Sequence, residues 1–345
     1  MWNKIVWEMM TPTVMKQLLP MTEEQKNMVA ESKDRISSIL KWESDRKIVI
    51  VWPCSVDYEE SFIEYGHFLK DLSEKVKDKI EIILRFYVWK PRTIGWWKGI
   101  VHSAPWEEAN MWNWIFLVRS MALKALELWL PLADEMLNAP LIEYVDDYLS
   151  YIAIWARSTE NQFHREVASW VDIPVWFKNP TSWNIAIMTN SIKAWQAPSH
   201  YILWNWIRDS EWNPLSHGIL RWWDVTGPNY EKKFIEEYLN NSDNIDNPAL
   251  IIDASHDNCR VDANTKDPLL QMEVSRKVFW EIIPHFERRL WKKQPIKWIM
   301  LESYIHRWNQ KYINEESVIK WKSLTDPCIS KTDTEVLISE LYEML

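Results

Sequence analysis

The chain has 345 residues, 47% of them hydrophobic, and a formal net charge of -9 at pH 7. That size suits a single large barrel-type domain with a sizeable core, and the acidic balance excludes a general nucleic-acid binder while leaving room for a local cationic cleft. No apolar run reaches the roughly 20 residues of a membrane span, Met1-Trp2-Asn3-Lys4-Ile5 lacks a signal-peptide pattern, and three widely spaced cysteines (Cys54, Cys259, Cys328) do not form a disulfide framework, so a reducing cytoplasm is expected.

Residues 1–45 read as a helical N-terminal extension, a possible regulatory or oligomer contact, and residues 46–345 as the barrel. Thr22-Glu23-Glu24-Gln25 has capping-box spacing, and the helix it opens is expected to run to about Leu40. Eight short apolar, β-rich runs follow: Ile48–Val51, Ile80–Tyr87, Leu130–Leu137, Ile152–Ala156, Pro174–Lys178, His200–Leu203, Ala249–Ala254 and Lys297–Leu301. Amphipathic stretches separate most of them, at Glu59–Val76, Asn113–Leu128, Glu160–Val171, Ile185–Ala194 and Leu269–Leu290. Eight strands alternating with helices predict a (β/α)8 TIM barrel. The long gap from Trp204 to Pro248 predicts a β-hairpin around Asn213-Pro214, inserted after strand six.

One feature is abnormal. The chain carries 26 Trp and only 5 Gly, where ordinary usage gives roughly 24 Gly. Three tryptophans follow helical runs with Pro soon after: Leu128-Trp129-Leu130-Pro131, Ala194-Trp195-Gln196-Ala197-Pro198 and Leu290-Trp291-Lys292-Lys293-Gln294-Pro295. That is the helix C′ position, which favours Gly in the left-handed region; Trp52, and Trp222-Trp223 at a strand end, have Gly-like contexts too, and Trp42 lies near the end of its helix. Most of these tryptophans are therefore expected to stand where the working protein has Gly, as when a stop codon reassigned to Gly is translated as Trp. The alternative is a genuinely Trp-rich protein.

In such a barrel the active site lies at the C-terminal strand ends. Polar residues there are Cys54, Arg85, Lys90, Arg92, Glu135, Arg157, Lys178, Arg221, Asp253, His256 and Glu302, with Asp326 in Leu324-Thr325-Asp326-Pro327-Cys328. Cys54, His256, Glu302 and Asp326 form a mixed S/N/O set suited to a first-row divalent metal. Arg85, Lys90, Arg92, Arg157, Lys178 and Arg221 form a cation cluster suited to phosphate and carboxylate. Alone, such a cysteine is usually a small buried hydrophobe, and a single His, carboxylate or Arg an ordinary core or surface side chain. Convergence on one barrel end is what sets them apart.

The motifs Trp52-Pro53-Cys54-Ser55, Lys90-Pro91-Arg92-Thr93, Trp97-Lys98-Gly99, Trp155-Ala156-Arg157-Ser158-Thr159-Glu160, His164-Arg165-Glu166, Phe177-Lys178-Asn179, Leu220-Arg221-Trp222-Trp223, Ile252-Asp253-Ala254-Ser255-His256 and Leu301-Glu302-Ser303 occur in the order of type I 3-deoxy-D-arabino-heptulosonate-7-phosphate (DAHP) synthase. The chain resembles that family from about Leu18 to its end, with most family glycines written as Trp. The resemblance implies a cytoplasmic transferase, EC 2.5.1.54, that condenses phosphoenolpyruvate with erythrose 4-phosphate at the start of the shikimate pathway of aromatic amino-acid biosynthesis. It implies one divalent cation (Mn2+, Fe2+, Co2+ or Zn2+) on Cys54, His256, Glu302 and Asp326. It places erythrose 4-phosphate on Lys90, Pro91, Arg92 and Thr93, and phosphoenolpyruvate on Arg85, Ala156, Arg157, Lys178 and Arg221, with Glu135 close by. Lys90, Glu135 and His256 are the candidates for catalysis. The metal would polarise the aldehyde oxygen, C3 of phosphoenolpyruvate would attack the aldehyde carbon, water would add at C2, and phosphate would leave by C–O cleavage. Which group manages the protons stays open.

The resemblance also implies a homo-oligomer, dimer or tetramer, and an aromatic amino-acid effector, although Asp172, Tyr201 and Leu203 match no recognisable effector type. Trp97 is one of the few expected tryptophans. Trp155 precedes a segment lying against phosphoenolpyruvate and should fill space the ligand needs. Tyr304, His306 and Pro180 are milder departures. The rival activities are a 3-deoxy-octulosonate 8-phosphate type of synthase and, if the tryptophans are genuine, a non-catalytic barrel. Lys-Pro-Arg-Thr and the long N-terminal region favour the heptulosonate enzyme. No nucleic-acid or membrane partner is expected.

Overall fold

The computed structural model describes residues 9–90, 97–103, 105, 108, 111–180, 184–203, 206–221, 227–262, 265–290, 293–312 and 315–345. Pro91, Arg92, Thr93, Trp222, Trp223 and Trp291 lie outside them.

Eight parallel strands close into a barrel: β1 (Lys47–Val51), β2 (Ile80–Arg85), β3 (Leu132–Glu135), β4 (Tyr151–Ile154), β5 (Val175–Lys178), β8 (His217–Leu220), β9 (Leu250–Asp253) and β10 (Ile296–Leu301). Seven of the eight expected runs supply a barrel strand. The correction concerns strand six. Residues His200–Leu203 belong to β6 (Ser199–Leu203), which pairs antiparallel with β7 (Trp206–Ser210) in a separate hairpin. The barrel position falls to β8, between β5 and β9. A hairpin is present, but it is formed by residues 199–210 rather than around Asn213-Pro214, and it precedes the sixth barrel strand. The physical reason is burial: β6 alternates, with Tyr201 and Leu203 buried and His200 and Ile202 exposed, whereas all of β8 is buried. A period-2 strand covers one face only, and a parallel barrel strand is covered on both.

Helices ring the barrel: α3 (Glu59–Val76), α4 (Met111–Glu127), α5 (Gln162–Trp170), α6 (Ile185–Trp195), α7 (Lys232–Asn240), α8 (Leu270–Lys277), α9 (Ile283–Leu290) and α10 (Lys331–Met344). A π-helical stretch, Val278–Ile282, joins α8 to α9. In the extension, α1 (Pro12–Leu18) precedes α2 (Glu23–Leu40), whose Thr22–Gln25 capping box is complete. Arg35 from α2 and Arg46 meet the buried Glu81 at 3.0 and 2.7 Å, fixing α2 against the start of β2.

The backbone at several tryptophans is unusual. Seven non-glycine described residues have positive φ, and five are Trp: Trp42 (61°), Trp129 (59°), Trp298 (144°), Trp308 (73°) and Trp321 (63°). For so bulky a side chain this region is a genuine outlier. Trp42 sits at C′ of α2, where its N–H donates to Ile39 O (3.3 Å) and the Glu43 N–H donates to Ser38 O (2.8 Å). That is the Schellman pattern usually closed by Gly. Trp129 occupies the same place after α4, donating to Leu126 O at 3.0 Å. Trp195 differs from expectation: it is the last residue of α6, and Gln196 caps the helix with φ -87°. Its ring centroid lies 3.0 Å from that of Phe177, well inside the 4.5–7 Å of ordinary aromatic pairs. The buried indole N–H groups of Trp52, Trp176, Trp195 and Trp298 have no acceptor, whereas Trp97 donates to Ser103 O at 2.8 Å.

Candidate active site

The strand ends bring the expected residues together. Cys54, Arg85, Lys90, Glu135, Ala156, Arg157, Lys178, Arg221, His256 and Asp326 line one cavity, with Tyr87, Trp89 and Trp155. Glu302 lies directly behind it, fully buried.

The ligand atoms of Cys54, His256, Glu302 and Asp326 all lie within 4.8 Å of one another. The Cys54 thiol donates to Asp326 Oδ2 at 3.0 Å, and His256 Nε2 is 3.1 Å from Glu302 Oε1. Lys90 Nζ donates to Cys54 Sγ. Arg85 donates to Glu302 Oε1 at 2.9 Å and to the Cys54 carbonyl at 3.2 Å. Glu302 Oε2 is buried with no hydrogen-bond partner among the described residues. An orphaned carboxylate oxygen beside Cys, His and a second carboxylate fits a divalent cation, since such an atom is costly without a partner. Burial, and after it the Glu302 charge, push the Cys54 thiol up to about 11; a bound cation is what would make it a thiolate.

Supporting contacts fix this group. His256, just past the end of β9, adopts φ 52°, and its Nδ1 lies 2.8 Å from Asp253 Oδ2. Ser255 Oγ donates to Asp253 Oδ1 at 2.7 Å. A carboxylate behind a ligating histidine fixes its tautomer and orientation. Gln271 clamps the Glu302 backbone, accepting from its N–H (2.8 Å) and donating to its carbonyl (3.1 Å). Burial works against the Asp326 carboxylate, but Lys266 and Lys90 outweigh it and hold the carboxyl well below the usual range.

The other half of the cavity is cationic. Lys178 Nζ donates to Glu135 Oε1, and both are buried. Burial alone would raise the Glu135 carboxyl; Lys178, Arg85 and Arg221 reverse this and lower it. Arg221 Nε lies 3.8 Å from Asp253 Oδ2, so β8 and β9 are tied at the rim. The Arg157 guanidinium stacks 4.6 Å over the Trp155 ring, and both residues line the cavity. Sequence reasoning missed Tyr87, whose ring lies under Arg85 (4.1 Å), and Lys266, which reaches Asp326 at 3.0 Å. Tyr87 could have been found from its place two residues past Arg85; Lys266 lies in a loop beyond β9 that no strand-end rule reaches.

Just outside the ligand group, the Tyr304 hydroxyl donates to Asp57 Oδ1 at 2.6 Å. Burial raises the Asp57 carboxyl from 3.8 to about 7. A carboxyl raised on folding contributes stability that is complete below its unfolded pKa and is lost as pH rises through the folded value. Stability should therefore fall between about pH 4 and pH 7 on account of Asp57. Asp57→Asn should flatten that slope, so its melting temperature relative to the parent should rise from pH 5 to pH 8. A constant difference across that window refutes the assignment.

The sequence profile of the DAHP synthetase I family matches residues 20–339. The chain belongs to the DAHP synthetase I family. It is 33% identical to the Trp-sensitive phospho-2-dehydro-3-deoxyheptonate aldolase of Salmonella typhimurium, over 96% of this chain and 94% of that protein. It is 33% identical to the Phe-sensitive enzyme of Escherichia coli, over 98% and 95%, and 31% identical to the Tyr-sensitive enzyme of that organism, over 98% and 93%. The structure of phospho-2-dehydro-3-deoxyheptonate aldolase from Francisella tularensis superposes with a TM-score of 0.90 at 28% identity, covering 99% of this chain and 98% of that one. The (β/α)8 barrel and the family resemblance both hold. No helix among the described residues is long and apolar enough to cross a membrane.

Proposed function

We propose that this chain condenses phosphoenolpyruvate with erythrose 4-phosphate, giving DAHP and inorganic phosphate, and so opens aromatic amino-acid biosynthesis. The observation that carries the reading is that Cys54, His256 and Asp326, backed by Glu302, share one cavity with Arg85, Arg157, Lys178 and Arg221. A divalent cation, when bound, would supply Lewis-acid polarisation of the aldehyde; Cys54, His256, Glu302 and Asp326 would hold it, and one soft ligand among harder ones suits Mn2+, Fe2+, Co2+ or Zn2+. Arg85, Arg157, Lys178 and Arg221 neutralise and orient the phosphate and carboxylate of phosphoenolpyruvate, with the Ala156 backbone alongside. Lys90 faces both halves, and with Pro91, Arg92 and Thr93 it takes the sugar phosphate. Fixing two highly anionic substrates in register supplies much of the rate. Glu135 is held ionised beside Lys178 and anchors that ammonium at the cavity wall; Lys90 and His256 complete the catalytic set. A cytoplasmic location accords with the three free cysteines.

Lys178→Met should raise the KM for phosphoenolpyruvate about 10- to 100-fold, the worth of about one hydrogen bond to a charged group, with little change in the KM for erythrose 4-phosphate. Equal changes in both constants would remove Lys178 from the phosphoenolpyruvate site. The octulosonate alternative is separated by substrate: turnover with arabinose 5-phosphate and none with erythrose 4-phosphate would replace the present reading.

Feedback control follows from the same membership. A cleft between α2 and the base of the β6–β7 hairpin is lined by Lys33 with Asp34, Asp147 and Asp172. Both charge signs face it, as an amino-acid zwitterion requires, and Tyr201 and Leu203 are buried in the hairpin behind. We infer that one aromatic amino acid inhibits from this cleft. Phe, Tyr and Trp added singly should include one inhibitor whose effect is lost in Asp172→Asn; inhibition by none of them overturns the inference.

A further inference from the structure

Asp326 meets the metal group with one oxygen only. Its Oδ2 faces Cys54 Sγ at 3.0 Å and Lys90 Nζ at 3.8 Å. Its Oδ1 turns the other way and accepts from Lys266 Nζ at 3.0 Å. The two oxygens of this carboxylate are thus assigned to different cations on opposite sides.

The fold goes to some length to bring Lys266 there. The short helix His256–Cys259 carries the ligand His256, and the chain then turns back on itself. Arg260 pairs antiparallel with Lys266, Val261 N–H donates to Thr265 O at 2.9 Å, and Asp267 N–H donates to Cys259 O at 2.9 Å. Asp257, buried at the base of this small hairpin, accepts from Arg260 Nη2 at 2.6 Å, and its Oδ1 lies 3.6 Å from Lys266 Nζ. Residues 256–262 and 265–266 therefore place a proposed metal ligand, His256, and the partner of a second, Lys266, close together. The Lys266 side chain is four-fifths buried, so its bond to Asp326 is weakly screened.

We propose that Lys266 is a positioning residue for the metal centre: it occupies Oδ1 of Asp326, fixes the carboxylate rotamer, and leaves Oδ2 alone to bind the cation. The inference rests on the metal-centre reading above. Partners of this kind typically contribute 10- to 100-fold in metal affinity. Asp257 and Arg260 act one step further out, by holding the hairpin.

The test is metal binding, read without turnover. Metal-depleted protein is titrated with Co2+, following the thiolate-to-cobalt charge-transfer band, for the parent chain, Lys266→Met, Lys266→Arg and Asp326→Asn. Melting temperatures of the metal-free forms check folding, and Lys266→Arg, which keeps charge and donors, serves if Lys266→Met is unstable. The proposal expects Lys266→Met to bind Co2+ 10- to 100-fold more weakly, with a shifted band, and Lys266→Arg to recover most of the loss. Affinity within twofold of the parent in Lys266→Met, while Asp326→Asn is clearly weakened, overturns the role of Lys266 alone. Unchanged affinity in Asp326→Asn overturns the metal-centre reading at this residue and the inference with it.

Discussion

Trp42→Gly and Trp129→Gly should each stabilise the chain, although both delete a large aromatic side chain. At φ 61° and 59° the Cβ of each residue costs about 1–2 kcal/mol. Five positive-φ tryptophans together cost about 5–10 kcal/mol on that scale, against a total stability of roughly 5–15 kcal/mol for a typical protein. Overpacking adds to this at Trp195 against Phe177. We propose that glycine stands at most of these positions in the working protein, and that Trp155→Gly frees the cavity wall beside Arg157 for phosphoenolpyruvate. The sign of the effect decides the matter. A genuine buried Trp loses about 3–5 kcal/mol when truncated, so a genuinely Trp-rich protein would be destabilised by Trp52→Gly, Trp176→Gly and Trp298→Gly. Melting temperatures that rise along the series Trp42, Trp129, Trp298 support glycine; a fall at each step supports tryptophan. The intact mass of protein made in its own cells gives an independent answer, since each replaced residue lightens the chain by the difference between the two side chains.

Cys54→Ala and His256→Ala should abolish turnover and metal binding together, by well over the 10- to 100-fold loss expected of an outer contact such as Lys266. Each deletes one of the four side chains proposed to hold the metal, next to Glu302, which is fully buried and has no hydrogen-bond partner on Oε2 among the described residues. In protein carrying glycine at these tryptophan positions, a chelator should silence the enzyme and Mn2+ should restore it, while neither should affect His256→Ala in the same background. Retained activity in either variant, or in the chelated enzyme, contradicts a metal centre on these residues.

The sequence carried much of this architecture in its periodicity. Continuous apolar runs such as Ile48–Val51 and Ala249–Ala254 are what strands buried on both faces look like, and the capping box at Thr22 opened α2 where expected. Strand six was misplaced because β8 contains His217 and Gly218 and has only two apolar residues, while the neighbouring β6 is longer and richer in β-formers. α7 and α1 lie in stretches whose polar residues mask their apolar faces. The site was readable because barrel geometry sends strand-end side chains to one mouth. Cys54, Glu135, Lys178 and His256 could therefore be grouped although they lie far apart in the chain. Their partners were not readable: Gln271, Ser255 and Lys266 reach the site from a helix and two loops, and only the folded chain shows that they touch Glu302, Asp253 and Asp326.

The most direct test is an assay of protein carrying glycine at Trp52, Trp155, Trp176, Trp222 and Trp223, and at the helix-end tryptophans, with Mn2+ present. Phosphoenolpyruvate absorbance is followed while inorganic phosphate is measured. The account predicts that adding erythrose 4-phosphate starts loss of phosphoenolpyruvate with one phosphate released per molecule consumed, that arabinose 5-phosphate does not, and that a chelator stops the reaction. No consumption of phosphoenolpyruvate by folded, metal-loaded protein contradicts it.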